Sequence, residues 1–237
     1  PHAFFRRQRQ MCIRDSSCGA KISGAGESEI KVQGVKKLEA SRWNVLFDRI
    51  EAGTYLVAGA ITNGHVKVNK IDPETINIIS EKLMDMGVEV NIGSDFVEVD
   101  ATSSDLKAQD IFTEPFPGFP TDMQAQFMTL NTIASGKCII EETVFENRFQ
   151  HVSQLRKMGA DITLNKNKAC VSGISNLVGA NVSASDLRAS ASLVLAGLVG
   201  KNKTEINDIY HIDRGYECIE EKLNKLGAEI IREPVVY

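Results

Sequence analysis

EKLMDMGVEV, residues 81–90, has two near-copies further along the chain, SQLRKMGADI at residues 153–162 and EKLNKLGAEI at residues 221–230. Each reads as a helix closing on Leu, two further residues, Met or Leu, and then Gly, after which a short residue, an acid and a β-branched residue follow. Gly87, Gly159 and Gly227 are expected to be the left-handed residue that stops a helix, because glycine enters that region without a Cβ penalty. The alternation beyond each glycine launches a strand. A partial fourth copy, SSCGAKI, carries Gly19 in the same role. Successive glycines lie 68, 72 and 68 residues apart, so the repeating unit is far longer than a solenoid repeat.

A second correspondence lies upstream in each unit. DRIEAGTYLVAGAIT, DMQAQFMTLNTIA and DLRASASLVLAGLV each open a helix with an aspartate: Asp48, Asp122 and Asp186. The units close on hairpins, VEVNIGSDFVEVDA and ADITLNKNKACVSGI, with Gly93-Ser94-Asp95 and Asn165-Lys166-Asn167 supplying the turns. With a strand ahead of each Asp helix, the unit is β-α-β-α-β-β and the fold class α/β. Packing such units with helices inward and sheets outward buries the apolar helices in a shared centre. That accounts for ASASLVLAGLVG, residues 189–200, which carries no charge at all.

Composition narrows the function. The chain has 237 residues, 43% hydrophobic and 24% charged, which is the make-up of an ordinary folded protein with one or two cores. A net charge of −4 gives no electrostatic footprint for nucleic acid. The longest apolar run is too short to span a bilayer. Five cysteines, Cys12, Cys18, Cys138, Cys170 and Cys218, are scattered without a C-x-x-C pair; this argues against a disulfide framework or a zinc site and fits a reducing cytoplasm. None has the setting of a nucleophile. His65, His151 and His211 lack ligand-spaced partners and read as surface or packing residues. GAGESE, from Gly24, lacks the third glycine and following helix of a dinucleotide loop. Residues 1–16, with four arginines and no cap or turn signal, read as a foreign tail rather than as part of the domain.

The helix opening at Asp186 poses a question. A carboxylate at a helix N-terminus offsets the partial positive charge there, but Arg188 works against it, so this arginine either reaches solvent or faces an anion. At Asp122, Thr121 with Gln124 forms a candidate capping box, which leaves Asp122 itself free for another task. For Asp48 a capping role is favoured. For Asp186, capping and participation in proton transfer stand about level. The paired acids of IEEKL read as a solvated helix face.

GFPTDMQAQF, ETVFENRFQHV, SDLRASASLVLAGLV and IYHIDRGYECIEEKLNKLGA, preceded by DRIEAGTYLVAGAIT, resemble the UDP-N-acetylglucosamine 1-carboxyvinyltransferases, the enolpyruvyl transferases that begin peptidoglycan precursor synthesis. The resemblance runs from about Ser17 to the C-terminus. It implies the inside-out α/β barrel of that family, with residues 17–46 as a remnant of a first domain and residues 47–237 as most of a second domain of three repeats. It also implies transfer of the enolpyruvyl group of phosphoenolpyruvate to the 3′-hydroxyl of UDP-N-acetylglucosamine through a tetrahedral adduct that expels phosphate, with no cofactor, no metal, no nucleic-acid or membrane partner, and a cytoplasmic setting. On that reading Asp122 is the base at the hydroxyl, and Asp186 and Arg214 join it as catalytic residues. Arg148, Arg188 and Arg214, each expected at the head of a helix, face the anionic substrate, and the backbone of Val144 contacts the sugar nucleotide. The Lys-Asn motif and the mobile Cys loop of the family's first domain have no counterpart here, which marks the chain as a fragment that alone is inactive. Two alternatives stand beside this reading: transfer to shikimate 3-phosphate, and a non-catalytic anion-binding domain.

Overall fold

Four helices end on the same backbone device. The computed structural model describes residues 6–25 and 29–233. Helix α1 (Arg6–Ser17) is followed by β1 (Lys21–Ser23) and β2 (Lys31–Gln33), an antiparallel pair. Gly19, which stops α1, has φ +94°. Its N–H donates to Ser16 O at 2.9 Å, and the next N–H, of Ala20, reaches back to Asp15 O at 3.0 Å. The same two bonds recur at Gly87, Gly159 and Gly227, whose φ values are +93°, +90° and +102°. At Gly87, for instance, Gly87 donates to Met84 O and Val88 to Leu83 O. These bonds satisfy carbonyls that a helix end leaves open, so the sequence repeat is a repeat of chain geometry.

The next unit runs α2 (Arg49–Ile61), β3 (His65–Asn69), α3 (Asn77–Asp85), β4 (Glu89–Ile92) and β5 (Phe96–Asp100). A further unit comprises β6 (Ile111–Phe112), α4 (Gln124–Ile133), β7 (Lys137–Glu141), α5 (Val152–Lys157), β8 (Asp161–Asn165) and β9 (Lys168–Ser172). Then come β10 (Asn181–Ser183), α6 (Leu187–Val199), β11 (Glu205–Asn207) and α7 (Ile219–Lys225). The sheets are ordered β3-β5-β4 and β6-β7-β9-β8, with β10 parallel to β11. Among the described residues only the middle unit shows all six elements: no strand immediately precedes α2 and none follows α7, where a strand and a hairpin were expected.

The three Asp-headed helices α2, α4 and α6 pack on one another at the centre. Nine of the ten residues of α4 are buried, so the helix is enclosed all round rather than along one stripe, and it takes Gln124, Gln126 and Asn131 into the interior with its apolar residues. The strands cover this helical centre, with Val97, Val99, Ile140 and Val171 turned inward. Among the described residues, one contiguous core runs from Phe47 to Ile230 and draws none from β1, β2 or the described side chains of α1.

Residues 6–16 are helical, so the division at residue 16 falls inside α1, in the place a unit's second helix occupies. The reason is the Gly19 stop, which needs a helix ahead of it whatever sequence forms that helix. Residues 1–5 of the tail, and residues 26–28 of GAGESE, lie outside the described residues.

Candidate functional site

The three helix-head aspartates differ in what they bind. Asp48 caps α2, accepting from Ile50 N at 2.8 Å and Glu51 N at 3.4 Å. Asp186 caps α6, accepting from Arg188 N at 2.8 Å and Ala189 N at 3.0 Å. Asp122 caps nothing: it sits in a 3-10 turn, Thr121–Met123, that leads into α4 without a side-chain cap. The expected capping box of Thr121 and Gln124 does not form. The Thr121 hydroxyl is turned toward Glu142 instead, donating to Oε2 at 2.8 Å and accepting from Arg148 Nη1 at 3.3 Å. The Gln124 amide is buried with no hydrogen-bond partner among the described residues.

Released from capping, Asp122 Oδ1 accepts from two arginines at once, Arg148 Nη1 at 3.0 Å and Arg188 Nε at 3.0 Å. The three side chains are 23%, 24% and 20% exposed, so the cluster is held mostly out of water but opens to one side. Burial alone would raise the Asp122 carboxyl; the hydrogen bonds and charge of Arg188, then of Arg148, outweigh it and hold the group below the ordinary carboxylate range. No donor among the described residues reaches Oδ2. Two guanidiniums against one carboxylate leave surplus positive charge. The cluster can therefore receive an anion on the arginines and a hydroxyl proton on Oδ2.

Arg148 belongs to the loop between β7 and α5, and this loop walls a cavity of about 820 Å³ lined by residues 142–150 with Leu164, Lys166 and Asn167. The guanidinium also lies over the Phe145 ring, 4.4 Å from its centroid. Val144 lines the cavity, and its N–H is taken by Glu142 Oε1 at 2.9 Å, so its carbonyl is the backbone group left for a ligand. Phe145 N donates to the same oxygen at 3.0 Å. Thr113 Oγ1, at the end of β6, donates to it at 2.8 Å.

Arg188 stands in the first turn of α6 as expected, whereas the other two arginines do not head helices. Arg148 is on the loop ahead of α5, and Arg214 is the last residue of a 3-10 turn, Ile209–Arg214, exposed and without an ion pair among the described residues. Its neighbour Gly215 backs onto Leu187, the first residue of α6, so the segment adjoins the cluster. Tyr216 is buried, its hydroxyl 2.8 Å from Thr54 Oγ1 of α2, and burial pushes its phenol up. Asp186 is spent on its cap; burial would raise it, but the N–H groups of Ala189 and Arg188 hold it low. His151 is fully buried beside Asp186 and Arg148, with Nε2 unpartnered among the described residues, and burial pushes its imidazole down to about 4.

Sequence reasoning passed over Glu142. Its signal was available: Cys138 and Ile140 of β7 face inward, and the next inward position is an acid that is 3% exposed. Thr113 and Thr121, its partners, carry no such signal.

Fold and site together define a class: α/β proteins of repeated β-α-β-α-β-β units with a carboxylate–arginine cluster beside the heads of central helices. The family profile described as EPSP synthase (3-phosphoshikimate 1-carboxyvinyltransferase) matches residues 16–223, and the chain belongs to this family of enolpyruvyl transferases. It is 56% identical over 214 residues to the UDP-N-acetylglucosamine 1-carboxyvinyltransferase of Coxiella burnetii strain Dugway 5J108-111, covering 90% of this chain and 49% of that protein, with the same figures for strain RSA 493. Among solved structures, the enolpyruvyl transferase NikO from Streptomyces tendae superposes with a TM-score of 0.76 at 28% identity, covering 90% of this chain and 51% of that one. EPSP synthase from Acinetobacter baumannii, at 18% identity and TM-score 0.67 over 94% of this chain and 55% of that one, shares the fold. The chain spans about half the length of the curated relatives it matches.

Proposed function

We propose that this chain carries the second-domain half of an enzyme that transfers the enolpyruvyl group of phosphoenolpyruvate to the 3′-hydroxyl of UDP-N-acetylglucosamine, releasing phosphate. The observation that carries the reading is the clamp on Asp122, with Oδ1 held by Arg148 and Arg188 and Oδ2 open, in a chain 56% identical to relatives of that name. Residues 17–46 are assigned to the end of a first domain and residues 47–237 to the second, in keeping with a core that starts at Phe47.

In the proposed reaction the hydroxyl oxygen bonds to C2 of the enolpyruvyl group, its proton passing to Asp122 Oδ2, while an acid from the missing half protonates the methylene carbon. The tetrahedral adduct then loses a proton from that carbon and expels phosphate. As the cluster stands, Asp122 is a weak base, because two arginines stabilise its charge. An incoming phosphate or carboxylate draws Arg148 and Arg188 toward itself, which makes the carboxylate more basic as the substrate arrives. Arg214 joins the anion contacts from the segment beside α6, and Asp186 holds the α6 head and so fixes Arg188. Val144 offers its carbonyl to a sugar hydroxyl. The reading requires no cofactor and places the reaction in the cytoplasm, at the start of the cell-wall precursor route on which cell shape and division depend.

The test is phosphate release from phosphoenolpyruvate with UDP-N-acetylglucosamine, run with the chain alone, with a separately expressed first domain, and with shikimate 3-phosphate as the competing acceptor. Activity only on complementation, and only with the sugar nucleotide, is expected; in that mixture Arg188→Ala lowers turnover by about tenfold or more. Turnover of shikimate 3-phosphate in its place, or activity unaffected by Arg188→Ala, overturns the assignment.

A further inference from the structure

Glu142 is the least exposed acid near the cluster, yet it touches neither arginine. Its carboxylate gathers four donors from three stretches of chain: Thr113 Oγ1 from the end of β6, Thr121 Oγ1 from the turn that carries Asp122, and the N–H groups of Val144 and Phe145 from the loop that carries Arg148. Thr113 is itself fully buried, and it ties the loop a second time by accepting from Thr143 N at 2.9 Å and receiving the Thr143 hydroxyl on its carbonyl. Thr121 also accepts from Arg148 Nη1 at 3.3 Å, so the chain of contacts from Glu142 to the clamp is continuous.

We propose that Glu142 is a positioning residue for the transfer site: it fixes the Asp122 turn and the 143–148 loop in one frame, so that Arg148 meets Asp122 and Val144 keeps its place in the cavity wall. The proposal rests on the functional reading above for its purpose, but the frame exists without ligand. A loop whose residues are mostly exposed needs such an anchor, since the entropy of free loop residues opposes any single geometry. A buried carboxylate taking four hydrogen bonds supplies it, because its donors belong to the strand end, the turn and the loop that have to be held together.

The sign of one measurement separates positioning from simple charge. Neutralising Glu142 removes a nearby negative charge, which by itself lowers the proton affinity of Asp122. Loss of positioning does the reverse, because Arg148 swings away and stops stabilising the Asp122 carboxylate. In the full chain, with Asp122 followed by carbon-detected NMR, Glu142→Gln keeps the acceptor oxygen and is expected to leave the proton affinity of Asp122 unchanged or lower. Glu142→Ala is expected to raise it by about fivefold or more and to accelerate exchange of the Val144 and Phe145 amides by at least about tenfold, while the Ile140 and Val171 amides in the adjoining strands keep their protection. Because Glu142→Ala leaves buried donors unpaired and can unfold the chain, Thr113→Val serves as the second variant: it touches neither Asp122 nor Arg148, keeps the Glu142 charge, and is expected to shift Asp122 in the same upward direction by a smaller factor. Equal behaviour of the Gln and Ala variants, or an unmoved Asp122 in Thr113→Val, overturns the proposal. Titration with UDP-N-acetylglucosamine forms a separate arm: failure to perturb the wild-type Val144 and Phe145 amides at any concentration counts against the functional reading, whereas the anchor stands or falls on the ligand-free variants.

Discussion

Replacing Arg188 with alanine tests whether the clamp on Asp122 exists in solution. Arg188 Nε lies 3.0 Å from Asp122 Oδ1, which puts the charge centres roughly 4 Å apart. At that separation a unit pair is worth about 1 kcal/mol in water and about 4 kcal/mol at an effective dielectric of 20. Both side chains are about one-fifth exposed, so the coupling falls between these limits, and Arg148 moves in to recover part of it. What remains is on the order of 1.4 kcal/mol, roughly a tenfold rise in the proton affinity of Asp122. The assay is a carbon-detected titration of the Asp122 carboxyl in wild type and variant, with the Ala189 amide, which donates to Asp186, as the control that α6 is still capped. Stability follows with a definite sign. The folded Asp122 titrates below the unfolded group, so its contribution is present above the unfolded value, about 3.9, and is lost as pH falls through the folded one. In Arg188→Ala that acid-side loss shrinks. An Asp122 that titrates as in the wild type would refute the clamp, and with it the electrostatic account of the site.

Three further outcomes are expected. His151 is held neutral by burial with its imidazole pushed down to about 4, so the unfolded chain binds the extra proton between about 6.5 and 4 and stability falls as pH drops through that window; His151→Leu removes this slope, as urea unfolding at pH 7 and pH 5 will report, and an unchanged slope means that another group titrates there. Gly59→Ala lowers the melting temperature even though alanine is the better helix former by about 1 kcal/mol, because the new methyl meets Val66 Cγ2 and Val99 Cγ2 at 2.9 Å; a stabilised variant would show that α2 and its sheet have room to part. Deleting residues 1–16 leaves the main unfolding midpoint within about 2 °C of wild type, since the core begins at Phe47; a larger fall would mean that α1 packs on that core in solution.

The repeat was legible because its signals are local. A glycine that must take positive φ, an aspartate that must meet open N–H groups and a two-residue alternation each act within a few residues, so Gly87, Gly159, Gly227, Asp48 and Asp186 behave in space as their neighbours in sequence require. The α6 sequence, uncharged beyond Arg188, likewise announced a helical centre. Local signals also misled. Thr121 and Gln124 have the spacing of a capping box, but Thr121 is turned toward Glu142, beyond the end of β7, and no side-chain cap forms. Arg148 and Arg214 were expected on helix heads, yet a loop and the end of a 3-10 turn carry them.

What the sequence determined by itself was the unit, its α/β class and the likeness to enolpyruvyl transferases. The sequence also singled out Asp122 from its two counterparts; tertiary structure decided which side chains reach it. Asp48, Asp122 and Asp186 occupy equivalent positions in their repeats, and nothing within ten residues of Asp122 marks it as the one that two arginines reach. That distinction arises because Arg148 and Arg188 come from elements 26 and 66 residues away, and Glu142 joins turn to loop across a similar span. Electrostatics and hydrogen bonding act through space at a few ångströms, so charges remote along the chain become decisive only when packing of α4, α6 and β7 brings them together.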